Sequence, residues 1–296
     1  MSQTISPSRS VAPADDCHGP TPIVVRGSEV VCRKLEWLWP DRVPLGKLTL
    51  LIGDPEQGKS FLTIDMAARV TRGRAWPDKV KSRAPRGSIL VLTAEDQSDD
   101  TVVPRLKKAG AKLDKCMILK AARTEDGLAR PVSLDRDLGI VRKMLLDNPD
   151  CRLVVIDPIS AYLGQVDGNS NSNVRSLLFP LAELAAEREV AVVLVSHLNK
   201  RTSARTMYRA MGSMAFVAVA RAAWLVVHDP KNEERRLMLS VKNNLAEAPT
   251  GLAFHLSAAN GRATAKIEWE KEPVEQTLAE VLDRAAYAPH QSSGSD

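Results

Sequence analysis

The chain has 296 residues, enough for one large α/β domain or two small ones, and 44% apolar residues, ordinary for a globular protein with a sizeable core. The net charge of +5, with both signs well mixed, is a mild lean toward polyanionic partners and fits a solvated mixed-charge surface equally well. Cys17, Cys32, Cys116 and Cys151 are scattered with no metal-ligand spacing, and no apolar run approaches the roughly 18 residues of a membrane span, so structural zinc and a membrane partner are not expected and a reducing, cytoplasmic setting is. Tyr and Phe are too scarce for a base-stacking platform.

Residues 1–22 are rich in Ser, Pro, Asp and Thr and read as a disordered tail, as do residues 288–296. Residues 24–32 suit a strand or an ordered arm. Trp37, Trp39, Pro40 and Pro44 follow, a packed turn leading into a strand at 47–52. These tryptophans suit a hydrophobic plug on the core, with contact to a nucleotide base as the sharper alternative.

The next stretch, Gly53-Asp54-Pro55-Glu56-Gln57-Gly58-Lys59-Ser60, fits the phosphate-binding loop G-x-x-x-x-G-K-[ST]. Phe61, Leu62, Ile64, Met66, Ala67 and Val70 then recur at helical spacing up to Gly73. Strand, glycine loop and helix are what the chemistry needs. Loop N–H groups face the phosphates, and the helix start adds partial positive charge. Lys59 would reach the β- and γ-phosphates, and the Ser60 hydroxyl would hold Mg²⁺.

A second buried strand, 87–94, ends in Glu95 and Asp96. Glu95 is the candidate general base for an attacking water, and Asp96 is expected to point elsewhere. A helix over 99–109, a short strand within 113–120 and a helix over 134–148 follow. The apolar strand 151–156 ends in Asp157, a candidate anchor for Mg²⁺. A polar loop at 164–173 and an amphipathic helix at 174–188 lead to strand 190–195, which ends in Ser196 and His197. His197 is placed to sense the γ-phosphate. The segment after it carries Lys200, Arg201, Arg205 and Arg209. Strands at 222–227, 235–241, 252–256 and 263–269, the last of them antiparallel hairpins, and a helix at 274–287 complete the chain. Residues 23–272 are read as one ATPase domain, and 273–287 as a C-terminal helix. Alternating strands and helices predict a mostly parallel sheet covered on both faces, with ligands at the carboxyl ends of its strands. Glu95, Asp157 and His197 all fall there.

With these motifs in order, the chain resembles the RecA-like P-loop ATPases, and within them the hexameric replicative helicases of plasmids and phages, the RepA type. The resemblance runs from about Leu35 to Leu256. It rests on the lead-in Leu35-Glu36-Trp37-Leu38-Trp39-Pro40 and Pro44-Leu45-Gly46-Lys47, Walker A at Gly53 to Ser60, Thr93-Ala94-Glu95-Asp96, the Walker B-like strand ending in Asp157-Pro158, Ser196-His197-Leu198-Asn199-Lys200, and Met211-Gly212-Ser213. It implies a mostly parallel twisted sheet with C-terminal antiparallel strands, ATP and Mg²⁺ as cofactors, and nucleotide held between subunits. Gly53, Asp54, Pro55, Glu56, Gln57, Gly58, Lys59, Ser60 and Phe61 would bind the nucleotide, with Ser60 and Asp157 on the metal. It further implies self-association into a ring, a hexamer, or into a filament. Single-stranded DNA would be the partner of Lys200, Arg201, Arg205 and Arg209, and a primase or initiator a further candidate partner. Relatives send a basic finger into the neighbour's site. Lys242 occupies that region, while Asn244 stands where helicases often carry Arg. Glu56 stands where the branch commonly has Gly. A RecA- or RadA-like recombination ATPase and a nucleotide-gated regulator with little turnover are the alternatives.

Overall fold

The computed structural model describes residues 22–197, 214–247, 249–257 and 265–287. Residues 22–34 belong to a unit of their own and are exposed throughout. They contain one turn of 3-10 helix, Gly27–Glu29, and no strand, the first of the two expectations for this stretch. Gly27 and Ser28 split the apolar run into pieces too short for a strand of usual length.

The unit that starts at Leu35 is built on a nine-stranded sheet. Its strands are β1 (Leu48–Gly53), β2 (Ser88–Thr93), β3 (Cys116–Leu119), β4 (Cys151–Asp157), β5 (Ala191–His197), β6 (Ala222–Asp229), β7 (Asn232–Asn243), β8 (Leu252–Ser257) and β9 (Lys266–Trp269). They lie side by side in the order β9-β8-β7-β6-β1-β5-β4-β2-β3. Every pairing from β6 across to β3 is parallel, and β6 to β9 pair antiparallel. This is the predicted fold class, a mostly parallel sheet with C-terminal antiparallel strands.

The central strands read as near-continuous apolar runs because helices cover both faces. Leu50, Ile52, Val154 and Leu194 turn to one side, where α3 (Leu134–Asp147), α4 (Asn171–Arg188) and α5 (Met214–Val219) pack. Leu51, Val91, Val155 and Val193 turn to the other, against α1 (Lys59–Arg72) and α2 (Val103–Ala109). Each such aliphatic side chain, fully buried, stabilises the fold by about 1.5–3 kcal/mol.

The tryptophan question resolves toward the core. Trp39 is fully buried and stacks on Trp76 with ring centroids 4.7 Å apart, and Trp269 meets it edge-on at 5.7 Å. Its indole N–H donates to Asp78 Oδ1 at 2.8 Å. Buried Arg42 donates to the other Asp78 oxygen at 2.8 Å and lies against Trp39 and Trp224.

Two helices begin elsewhere than their periodicity suggests, and capping explains both. The Ser170 hydroxyl accepts the Asn173 N–H, so α4 starts at Asn171, inside the stretch expected to be loop. The last helix, α6 (Leu278–Tyr287), starts later than residue 274. The Glu280 N–H donates to Thr277 Oγ1 while the Thr277 N–H donates to Glu280 Oε2, a reciprocal cap that sets the start, and Val274 instead bridges Gly251. Between β2 and α2, residues Ser98–Val102 form a π turn, and Pro104 in the first turn of α2 has no N–H to carry a continuous helix through. The short hairpins Trp37–Trp39/Val43–Pro44, Ala75–Trp76/Lys79–Arg83 and Ala122–Arg123/Ala129–Arg130 were not predicted, since strands of two or three residues leave no periodicity to read. No helix among the described residues is long and apolar enough to cross a membrane.

Candidate active site

The strand order brings the polar residues to one edge. His197 pairs in register with Gly53, and Asp157 with Thr93. Since β5 lies between β1 and β4, the phosphate loop, His197, Asp157 and the end of β2 stand along the carboxyl ends of four neighbouring parallel strands.

The loop has the backbone its glycines permit. A Cβ on Gly53 would lie 2.3 Å from the Val226 carbonyl oxygen, so no side chain fits there. Gly58 sits at φ 94°, where a Cβ would come within 3.2 Å of both Phe254 and Arg236. Glu56 also has positive φ, 67°, a conformation that costs a residue with a Cβ about 1 kcal/mol. That angle is one a glycine would adopt without strain.

Lys59 is buried at the start of α1. Its ammonium donates to the Gly53 carbonyl at 2.8 Å and the Asp54 carbonyl at 2.7 Å, which folds the side chain back over the loop. Burial lowers its pKa to about 8, against the upward pull of Asp157, Asp54 and Glu95. Asp157 is pushed the other way, up to about 6, chiefly by burial. A hydrogen bond with Ser60 and the charge of Lys59 hold it down, while Asp96 and Glu95 raise it. Beside Ser60 and Asp157 lies a void of about 20 Å³ walled also by Thr63, Thr93 and Asp96. The Ser60 hydroxyl and the Asp157 carboxylate are oxygen donors of the kind Mg²⁺ takes while keeping part of its hydration, and Ile64, Val91, Val102 and Val155 make the rest of the void largely apolar.

The open side is a cleft of about 400 Å³ lined by Pro55, Glu56, Gly58, Lys59, Ser60 and Phe61 from the loop and α1. Glu95, Asp96, Arg105, Asp157, His197 and Leu256 line it from the other elements. Glu95 is well exposed to it, and its Oε1 lies 3.7 Å from His197 Nε2. Burial and nearby Lys59 lower the His197 pKa, with Glu95 opposing. A neutral imidazole beside a carboxylate can donate its ring N–H to a phosphate oxygen.

Not every expected residue meets here. Lys242, on β7, does not line the cleft of its own chain. Its ammonium donates to the carbonyls of Val217 at 2.9 Å and Ala218 at 3.1 Å, near the end of α5. Gln57 is absent from the lining, and Asp54 contributes through its carbonyl. Lys200, Arg201, Arg205 and Arg209, like Met211-Gly212-Ser213, lie outside the described residues. Asp96 corrects the expectation. It does not point elsewhere but lines the cleft, accepting from Arg105 Nη1 at 2.6 Å. Arg105 itself went unread, because the only signal was one Arg near Lys107 and Lys108 on a short surface helix.

A family model described as an AAA domain matches residues 14–203, more than half of the chain, from ahead of the loop to beyond β5. The chain belongs to the AAA-domain family. It is thus assigned to nucleotide-dependent ATPases, a family that generally uses ATP and Mg²⁺. The AAA-domain match spans Lys59, Ser60, Glu95, Asp157 and His197 together. No curated protein matches this AAA-domain chain.

The opposed titrations give the cleft a pH window. As a phosphate ligand Lys59 would act as the ammonium, so nucleotide affinity should fall as pH rises through about 8, by up to tenfold per unit above it. As a metal ligand Asp157 would act as the carboxylate, so the Mg²⁺-dependent part of that affinity should fall as pH drops through about 6. Titration of a fluorescent ATP analogue from pH 5 to 10, with and without Mg²⁺, checks both limbs. Lys59→Arg should remove the alkaline one. An affinity flat from pH 7 to 9.5 would contradict the assignment of Lys59.

Proposed function

We propose that this AAA-domain chain is an ATP-driven motor on single-stranded DNA, a hexameric replicative helicase or translocase of a plasmid or phage. The observation that carries the reading is the position of His197. It lies 3.7 Å from Glu95 in the cleft and is covalently continuous with the segment bearing Lys200, Arg201, Arg205 and Arg209. A group that reads the γ-phosphate thereby adjoins four cations suited to a nucleic-acid backbone.

Lys59 leaves the Gly53 and Asp54 carbonyls to bind the β- and γ-phosphates. Ser60 and Asp157 would hold Mg²⁺, which would neutralise charge on the phosphates. Glu95 orients the attacking water and takes its proton. His197 meets the γ-phosphate while it is present and loses that contact on hydrolysis, which alternates the segment that follows it. Lys242, anchored near the end of the helix after that segment, reaches the cleft of a neighbouring copy in a ring.

A second reading, a nucleotide-gated regulator with little turnover, draws support from Glu56 in a left-handed conformation within the loop and from Asn244 in place of an Arg. ATP hydrolysis measured with and without single-stranded DNA, beside the mass of the assembled particle, separates the two. The motor predicts stimulated turnover and a hexameric mass. Hydrolysis indifferent to every DNA favours the regulator, and a DNA-dependent filament favours the RecA-like alternative.

A further inference from the structure

We propose that Arg105 is a second, in-chain cation of the nucleotide cleft that recognises the terminal phosphate, so that the cleft distinguishes a triphosphate from a diphosphate. This rests on the reading of the cleft as an ATP site.

Arg105 projects from α2 into the cleft that Lys59 lines from α1. Two contacts hold it in place. Nη1 donates to Asp96 Oδ2 at 2.6 Å, and the guanidinium lies 4.5 Å from the ring centre of Phe61, the residue after Ser60. Carboxylate pairing and an aromatic face preorganise a guanidinium without using up its donors. Among the described residues its hydrogen bond is the one to Asp96, and its Nε is buried with no hydrogen-bond partner. The buried Nε is closed off from the cleft, and it is the Nη1 and Nη2 end of the fork that would donate to a phosphate oxygen.

The charge balance points the same way. Glu56, Glu95, Asp96 and Asp157 all line the cleft, while Lys59 and Arg105 are its lysine and arginine among the lining residues. Arg105 offsets Asp96, which leaves Lys59 with Asp157, Glu95 and Glu56 before any phosphate enters. A triphosphate brings roughly four negative charges, so a second fixed cation matters more to it than to a diphosphate. Arg105 is placed for that distinction. Through Asp96 it is anchored to the residue next to Glu95, where the water attacks, and through Phe61 to the residue next to Ser60.

The test is calorimetric titration of wild type, Arg105→Ala and Arg105→Lys with a non-hydrolysable ATP analogue and with ADP, both with Mg²⁺. Arg105→Ala should weaken the triphosphate analogue by roughly 10- to 100-fold and ADP by less than about threefold. Arg105→Lys keeps the charge without the fork and should lie between; it carries the test if the Ala variant fails to fold. Equal weakening of both nucleotides would assign Arg105 a structural role and overturn the proposal. So would an unchanged triphosphate affinity in a wild-type background that binds both. A wild type that binds neither nucleotide overturns the ATPase reading, and this inference with it.

Discussion

Lys59→Ala should weaken binding of Mg²⁺–ATP by at least about 100-fold and abolish hydrolysis. As proposed, the ammonium would supply charge-assisted hydrogen bonds to two phosphates, each of about 1.5–3 kcal/mol, and about 1.4 kcal/mol is tenfold in affinity. The variant should nonetheless fold. Lys59 is a buried cation whose pKa is already drawn down to about 8 by desolvation. Removing it relieves that penalty, at the expense of two loop carbonyls that Gly53 and Asp54 then leave without its N–H donors. The melting temperature of the nucleotide-free protein should therefore stay close to wild type, and the stabilisation that ATP gives the wild type should vanish. Equilibrium binding and thermal melts with and without ATP check both halves. An ATP affinity within threefold of wild type would mean that the loop holds no phosphate.

Glu95→Gln separates binding from chemistry. Loss of a positioned general base slows turnover by about 100- to 10,000-fold, while the amide keeps the size of the carboxylate and removes one negative charge from beside the phosphates. Affinity for ATP should thus be retained or rise slightly as kcat collapses. The geometry behind this is an exposed carboxylate on the cleft, 3.7 Å from His197, whose neighbour Asp96 is already occupied by Arg105. A variant that still hydrolyses ATP within fivefold of wild type would move the base elsewhere. Single-turnover cleavage of bound ATP reads this without interference from product release.

The sheet was legible because its strands are buried on both faces. Strands such as 153–156 and 190–195 carry apolar residues at every position, and each ends abruptly in a polar group at the same edge. The loop was legible because Gly53 and Gly58 are demanded by close contacts and a left-handed turn that other residues do not supply. Arg105 was illegible for the opposite reason. Its place in the cleft comes from how α2 packs after an irregular π turn, and neither spacing nor residue type records that packing. Asp96 can share the cleft with its neighbour Glu95 because strict alternation of side chains holds within a strand and lapses where β2 ends at Thr93. Lys242 shows the same limit from another side. Its place on β7 was readable, but its attachment near the end of α5 depends on a short helix with no signal of its own.

These residues act together only if one triphosphate meets all of them. The most direct test is a calorimetric titration of the wild-type protein with a non-hydrolysable ATP analogue at pH 7, with Mg²⁺ and again with EDTA. Saturable one-to-one binding that weakens by tenfold or more without the metal is the predicted result. No heat of binding up to millimolar analogue, or an affinity indifferent to Mg²⁺, would contradict it.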